Sequence, residues 1–407
     1  MTTASRAPRV LVGIGGGIAA YKVCELISRL VKSGVEVRVV LTETAQQFIT
    51  ALTVATLSRH AAYTDADFWS AGQSRPLHIQ LGEWADCLLI APATANTLGK
   101  LVHGLADNLL TNIVLASQCP VLLAPAMNTE MWQQTTVRRN WQTLNQDFRY
   151  HCLGTATGLL ACDRTGAGRL LEPELLHLAL QAVLHTQGQR DFQGKKLLIS
   201  AGGTREHLDP VRFIGNPSTG RMGMAIAQAA FYRGASVTLV HGPLGFEPVW
   251  PESPQFKIVP VTTATLMQRA LELALSDTDL LWMVAAVADV RPARQAMRKL
   301  PKAELPEHLP LEPVPDIVTQ LEQQKFLHQR FIGFAAQTGE IVAPAIAKLK
   351  RKGLDAIVAN AVDKGDRGFG SPNNSGIWIT TSGEKRTIPL MSKVELAHQL
   401  LDYAQEL

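Results

Sequence analysis

The sequence predicts an α/β protein made of two doubly wound parallel-sheet domains, and three observations carry that prediction. First, short Val-, Ile- and Leu-rich strands recur with helix-length segments between them, the alternation expected of a parallel sheet. Second, the order strand, Gly-rich turn or loop, helix, strand occurs twice, over residues 10–41 and again over residues 197–240. Third, both helices end in a basic residue and a glycine, Lys32-Ser33-Gly34 and Arg233-Gly234, before a Val-rich strand resumes.

At 407 residues the chain exceeds the prior of roughly 150 residues per domain, so two cores are expected. The polar, turn-prone stretch QGQRDFQGKK marks the join and gives domains 1–188 and 189–407. A content of 46% hydrophobic and 18% charged residues fits a compact chain rather than a disordered one. The net charge of +4 comes without a long basic run, so nucleic acid is not an expected partner. No apolar run approaches the ~20 residues that span a bilayer, and residues 1–9 lack the apolar core of a signal peptide. The five cysteines are odd in number and show no C-x-x-C spacing. That argues for a reducing compartment, the cytoplasm, without a disulfide framework or a zinc site.

In the first half, strands are expected at Val10–Ile14, Val37–Leu41, Cys87–Ile90 and Val121–Ala124. Val23, Leu26, Ile27 and Leu30, at helical spacing, form the buried stripe of the first helix. In an open parallel sheet ligands sit beyond the carboxyl ends of the strands, and the suggestive residues collect there. Gly16 and Gly17 let the backbone approach a phosphate at a helix start. Thr42 follows the second strand, where a nicotinamide enzyme would hold a ribose with an acid. Ala91, Thr94 and Asn96 lie in APATANT after the third strand. Hydroxyls and small residues at three strand ends suit a flavin phosphate and ring better than a dinucleotide. Read alone, His78 in PLHIQLGEWAD is a structural histidine near a helix start, and Asn128 is a helix cap. Cys162 lies in GTATGLLACDRTGAGRL, a segment with few helix or strand signals that reads as a long surface loop or a lid. A thiol in a lid is placed to meet a substrate.

HIQLGEWAD, APATANTLGKLVHGLADNLLTN, PAMNTEMW and the Cys162 segment occur in that order, and over residues 8–185 the chain resembles the flavin-dependent cysteine decarboxylases of the flavodoxin-like fold. The resemblance implies FMN and loss of CO₂ from a peptide-like cysteine carboxylate. Such a carboxylate has no electron sink until the thiol carbon is oxidised to a thioaldehyde at the expense of the flavin. By resemblance, His78 is the base in that oxidation, Asn128 binds the carboxylate, and Cys162 returns a proton as the ene-thiolate is reduced.

In the second half, strands are expected at Leu197–Ser200, Val237–Val240, Leu281–Val284, Arg330–Phe334 and Ala356–Ala359, followed by a hairpin turning at Ser382-Gly383. A nicotinamide-binding domain would show G-x-G-x-x-G and then an acid. Here Gly203 and Gly220 are separated by a loop holding Thr204, Arg205, Asn216, Ser218 and Thr219, and the second strand ends in His241. The loop instead offers donors to an anion at a helix start. Asp289, which follows a strand in AAVAD, reads as a ligand for metal or sugar, or as a cap. Lys299 and Lys302 lie in a Pro-rich charged stretch that reads as a solvated loop or as a mobile lysine loop closing over phosphates. Lys348 and Lys352 share one helical face.

NPSTGRMG, AAVAD, the K-x-x-K stretch, VPDIV, GFAAQTG and KLKRKGLDAIVAN resemble phosphopantothenate–cysteine ligase over residues 194–403, and imply a Rossmann-like ligase domain. The resemblance implies activation of a carboxylate by CTP, as an acyl-cytidylate, before the cysteine amine displaces CMP. It places Asn216 at the acyl-cytidylate step. Asp289, Lys299, Phe334, Lys348, Lys352 and the run Pro315, Asp316, Ile317 and Val318 would bind CTP. Mg²⁺ or another divalent cation is implied, with its ligands unassigned. The chain departs from the family at Thr219, where a serine is usual, and at Pro301, where a lysine is usual.

Together the two resemblances imply a bifunctional enzyme of coenzyme A synthesis that condenses 4′-phosphopantothenate with cysteine and decarboxylates the product to 4′-phosphopantetheine, acting as a homo-oligomer. The alternatives are another flavin-dependent cysteine decarboxylase or flavin prenyltransferase relative with a nucleotide-binding domain, and a flavodoxin-like electron carrier.

Overall fold

The computed structural model describes residues 6–70, 75–305, 307–362, 368 and 370–407. They form two compact units, residues 1–189 with 249–252, and residues 190–248 with 253–407.

The first unit is built on strands β1 (Arg9–Ile14), β2 (Glu36–Leu41), β3 (Ala62–Tyr63), β4 (Cys87–Ala93), β5 (Val121–Pro125) and β6 (Tyr150–Cys152). They lie in the order β3-β2-β1-β4-β5-β6, every pairing parallel. All seven residues of β4 are buried, because helices cover both faces and leave no solvent side for alternation to serve. The Ala20–Lys32 helix buries Val23, Leu26, Ile27 and Leu30 completely. Each such side chain contributes about 1.5–3 kcal/mol on leaving water. Two strands of this sheet escape the sequence reading. β3 and β6, with two and three residues, are too short to carry a period and form only as edges on a neighbour.

A further difference concerns the Cys162 segment. It is a β-hairpin rather than a loop, β7 (Ala156–Leu159) pairing antiparallel with β8 (Thr165–Arg169). Gly158, Gly166 and Gly168 give these strands little intrinsic β preference, so cross-strand pairing makes the hairpin.

The second unit repeats the plan. Its main strands are β9 (Lys196–Ala201), β12 (Ser236–His241), β13 (Phe256–Pro260), β14 (Leu280–Met283), β17 (Arg330–Gln337), β18 (Ala356–Ala361), β19 (Asn373–Thr380) and β20 (Lys385–Ser392). Their order is β13-β12-β9-β14-β17-β18-β19-β20. The sheet is parallel as far as β18, and the expected hairpin β19–β20 extends that edge antiparallel. Two smaller pairs decorate the loops, β10 (Arg205–His207) with β11 (Phe213–Gly215), and β15 (Val290–Pro292) with β16 (Leu311–Pro313). In each unit the winding reverses beside the first strand, between β1 and β4 and between β9 and β14, and such reversals open a crevice at the strand ends. Among the described residues no helix is long and apolar enough to cross a membrane.

Candidate active sites

In the first unit a cavity of about 620 Å³ opens beyond β1, β4 and β5. Gly16 and Gly17 from the turn after β1, Thr94 after β4 and Asn128 after β5 line it, and the β7–β8 hairpin brings Cys162 to the same space. Thr94 caps the Ala95–His103 helix by accepting from the Thr97 N–H at 3.2 Å. Asn128 caps the Thr129–Gln133 helix through its Oδ1, which accepts from Glu130 N–H at 2.8 Å. That bond leaves the amide nitrogen free to turn inward, where Nδ2 donates to Cys162 Sγ at 3.5 Å. The sequence readings of Asn128 as cap and as site residue therefore describe two ends of one amide.

The hairpin is held to this wall by its backbone. Gly168 sits at φ +130° and accepts from Met127 N–H at 2.9 Å. A Cβ on Gly168 would lie 2.2 Å from Met127 O. Gly168→Ala is therefore expected to weaken docking of the hairpin by about 1–3 kcal/mol. Faster limited proteolysis within residues 154–169 would register it, and an unchanged cleavage rate would show that the turn tolerates the methyl.

Not every expected residue reaches this cavity. Ala91 is wholly buried, and neither it, Thr42 nor Asn96 lines the space. Thr42 instead closes its own turn, donating to Ile14 O and accepting from Ala45 N–H, each at 3.2 Å. His78, on the Leu77–Trp84 helix, packs edge-on to Phe68 with ring centres 5.4 Å apart and does not line the cavity. Its Nδ1 is enclosed without a partner. The structure adds Lys22 and Arg169, whose heads meet Glu172 at 3.0 and 2.8 Å at the cavity wall. No motif in the sequence marked Lys22, and Arg169 lies in the Cys162 segment without having been singled out.

In the second unit a cavity of about 520 Å³ occupies the corresponding crevice. Asn216, Asp289, the run Pro315–Val318, Phe334, Lys348 and Lys352 all line it, although they come from five separate segments of the chain. Asn216 Nδ2 donates to Val287 O at 3.0 Å, which holds its loop across the end of β14. Lys348 donates to Phe334 O at 2.7 Å. Burial, with Lys352 and Arg351 close by, lowers the Lys348 ammonium below its ordinary range. Lys352 pairs with Asp316, which also caps the Ile317–Glu322 helix by accepting from Thr319 N–H at 3.2 Å. Partial burial raises the Asp316 carboxyl, but the Lys352 ammonium and the Thr319 N–H outweigh it and hold the group low. Lys348 and Lys352 are thus fixed by backbone and carboxylate rather than trailing in solvent.

Lys299 is exposed and does not line the cavity. It rides on the excursion between β15 and β16, which is clasped midway at the neighbouring Leu300. There Asp209 Oδ2 accepts from the N–H at 3.2 Å and Arg212 donates to the carbonyl at 2.5 Å. Arg221 and Asn360, inside the motifs NPSTGRMG and KLKRKGLDAIVAN but not singled out there, also line the cavity, and so do Asn374 and Lys393, which no motif marked. Among the described residues no cluster of three metal-ligating side chains occurs.

Residues 1–184 match the family described as Flavoprotein, and residues 192–407 match the DNA/pantothenate metabolism flavoprotein C-terminal domain. The chain is 40% identical to the coenzyme A biosynthesis bifunctional protein CoaBC of Bacillus subtilis (strain 168), over 96% of this chain and 95% of that one. It is 39% identical to the protein of the same name from Escherichia coli (strain K12), over 97% and 96%. Among solved structures, the C-terminal domain of a CoaBC protein is 35% identical, covers 54% of this chain and 97% of its own, and superposes with a TM-score of 0.44. A PPC decarboxylase mutant complexed with pantothenoylaminoethenethiol is 37% identical over 43% and 97%, with a TM-score of 0.41.

Proposed function

The chain belongs to the coenzyme A biosynthesis bifunctional protein family, and from that premise we propose how its own residues carry the family's two reactions. It is a phosphopantothenate–cysteine ligase and a phosphopantothenoylcysteine decarboxylase in one polypeptide. The observation that supports the residue assignments is convergence. In each unit a core of the candidates meets at the switch point of its own sheet, Gly16, Gly17, Thr94, Asn128 and Cys162 in the first and Asn216, Asp289, residues 315–318, Phe334, Lys348 and Lys352 in the second.

In the ligase unit the substrate carboxylate attacks the α-phosphorus of CTP, pyrophosphate leaves, and the cysteine amine then displaces CMP from the acyl-cytidylate. Lys348 and Lys352 offset phosphate charge from fixed positions. Phe334, Asp289 and the backbone of residues 315–318 hold the nucleoside, and Asn216 supports the acyl-cytidylate step. Lys299 reaches the phosphates by movement of its excursion. The cavity's carboxylates, Asp289 and Asp316, suit a Mg²⁺ that arrives on the triphosphate, since this ion is commonly held by one or two carboxylates and substrate phosphates.

In the decarboxylase unit the cavity fits FMN, with apolar walls from Ala126, Met127 and Leu170, the Gly16–Gly17 turn, and a capped helix start at Thr94. Thr42, Ala91 and Asn96, set back from the cavity, would shape the strand ends that hold it. When bound, it supplies the two-electron acceptor that is restored by reduction of the ene-thiolate. Asn128 Nδ2 receives the substrate carboxylate, and Cys162 delivers the final proton from the hairpin tip. His78, which does not face the cavity of its own chain, acts as base across a contact with a second copy, so the working enzyme is a homo-oligomer. The setting is the cytoplasm.

A mass-spectrometric time course with 4′-phosphopantothenate, cysteine, CTP and Mg²⁺ tests the whole reading. Phosphopantothenoylcysteine should rise first and phosphopantetheine should follow. Accumulation of the first product by FMN-replete protein would sink the decarboxylase assignment, and no product with CTP or ATP would sink the ligase assignment.

A further inference from the structure

Lys393 and Asn374 share one corner of the ligase cavity, and nothing in the reading above uses them. Lys393 begins the Lys393–Gln405 helix yet is only 7% exposed. Its Nζ donates to Gly368 O at 3.0 Å and to Ser371 O at 2.6 Å, and its backbone N–H donates to Pro372 O at 3.0 Å. An ammonium carries three protons, so one remains for the cavity, on a head that the two carbonyls hold still. Asn374 is 3% exposed, and its Oδ1 is enclosed with no partner. Buried acceptors are rarely left unmatched, and an unmatched one on a residue that lines a cavity calls for a donor on the ligand. Strand pairing sets Asn373 opposite Ser392 and Asn374 opposite Met391, so Lys393 lies diagonally across from Asn374 just past the paired residues.

The corner therefore offers a cationic donor and, next to it, an acceptor in need of a proton. A polyphosphate satisfies only the first. A free α-amino acid satisfies both, through its carboxylate and its amino group. Resting on the ligase assignment, we infer that Lys393 and Asn374 seat the amino-acid co-substrate, the Lys393 ammonium holding the α-carboxylate and Asn374 Oδ1 accepting from the α-amino group. This seat lies in the cavity that Asn216 also lines, so the amine is held in the space where the activated acyl group forms. Burial, reinforced by Arg221, lowers the Lys393 ammonium to about 8, and a carboxylate seated against it opposes that shift.

The test compares cysteine with 2-aminoethanethiol, which keeps the amine and thiol and lacks the carboxylate, as acceptors for phosphopantothenate with CTP and Mg²⁺. Wild-type protein should favour cysteine in kcat/KM by about tenfold or more, the scale of one hydrogen bond to a charged group. Lys393→Met should bring that ratio close to one by lowering only the cysteine value, and Lys393→Arg, which keeps the charge, should retain it. Asn374→Leu should lower both acceptors alike. Because the ratio is taken within each variant, partial unfolding does not alter it. Pyrophosphate release from phosphopantothenate and CTP before amine is added should be unchanged in all three variants. An intact preference in Lys393→Met, or a slowed pyrophosphate step with the preference kept, would overturn the inference and assign Lys393 to the phosphates. Absence of any CTP-dependent product from wild-type protein would overturn the ligase assignment itself, and this seat with it.

Discussion

Replacing Cys162 by serine is expected to slow formation of phosphopantetheine by about 10²–10⁴-fold, the usual weight of a positioned proton donor, while ligation by the same chain continues. The geometry concentrates the effect in one atom. Cys162 sits at the tip of the β7–β8 hairpin, where Asp163 N–H donates to Leu160 O at 3.0 Å and Leu160 N–H to Arg164 O at 2.9 Å. Arg164 meets Glu130 at 2.5 Å, which ties the tip to the helix that Asn128 caps. A serine hydroxyl fits this turn and preserves the hairpin. Its proton, however, is far less acidic than that of a thiol, whose free value is near 8.5. The substitution therefore separates chemistry from docking. Reduced, decarboxylated product formed at the normal rate by Cys162→Ser would remove the residue from the mechanism. Accumulation of an oxidised, decarboxylated species would place its role after loss of CO₂.

Asn216→Asp is expected to have the converse signature, a fall in ligation of about 10²–10³-fold, the scale of losing one preorganised donor. Decarboxylation of supplied phosphopantothenoylcysteine should be untouched. The native amide donates to Val287 O at 3.0 Å and so keeps its own oxygen turned away from that carbonyl. A carboxylate has no proton to give. It would confront the Val287 oxygen with a second acceptor and place a negative charge in the cavity where phosphate charge accumulates. Stopped-time sampling should show where the block falls. Loss of pyrophosphate release would place Asn216 before the acyl-cytidylate, and normal release with a stalled intermediate would place it at amine transfer. An unchanged ligation rate would dismiss it from the reaction.

The sequence alone determined the class, the doubling of the sheet and the strand ends where chemistry collects. These are local properties. A continuous apolar run such as β4 reports burial on both faces, and the stripe Val23, Leu26, Ile27 and Leu30 reports a helix against a sheet, whatever lies elsewhere in the chain. The motif around Asn128 was legible for the same reason, since it follows β5, whose end faces the crevice. Tertiary structure decided which of those residues meet. The Cys162 segment looked like a loop because its strands exist only through pairing with each other. Lys299 stands apart from the cavity because Asp209 and Arg212 clasp the neighbouring Leu300, a contact across about 90 residues that no local pattern encodes. His78 lies in a motif and yet faces away from its cavity, because the Leu77–Trp84 helix turns it against Phe68. Lys393 and Asn374 were silent in the sequence, the first an ordinary lysine at a helix start and the second one asparagine of a pair. Only the register of β19 against β20 sets them in one corner, and register is decided by packing across strands rather than by residue type along one.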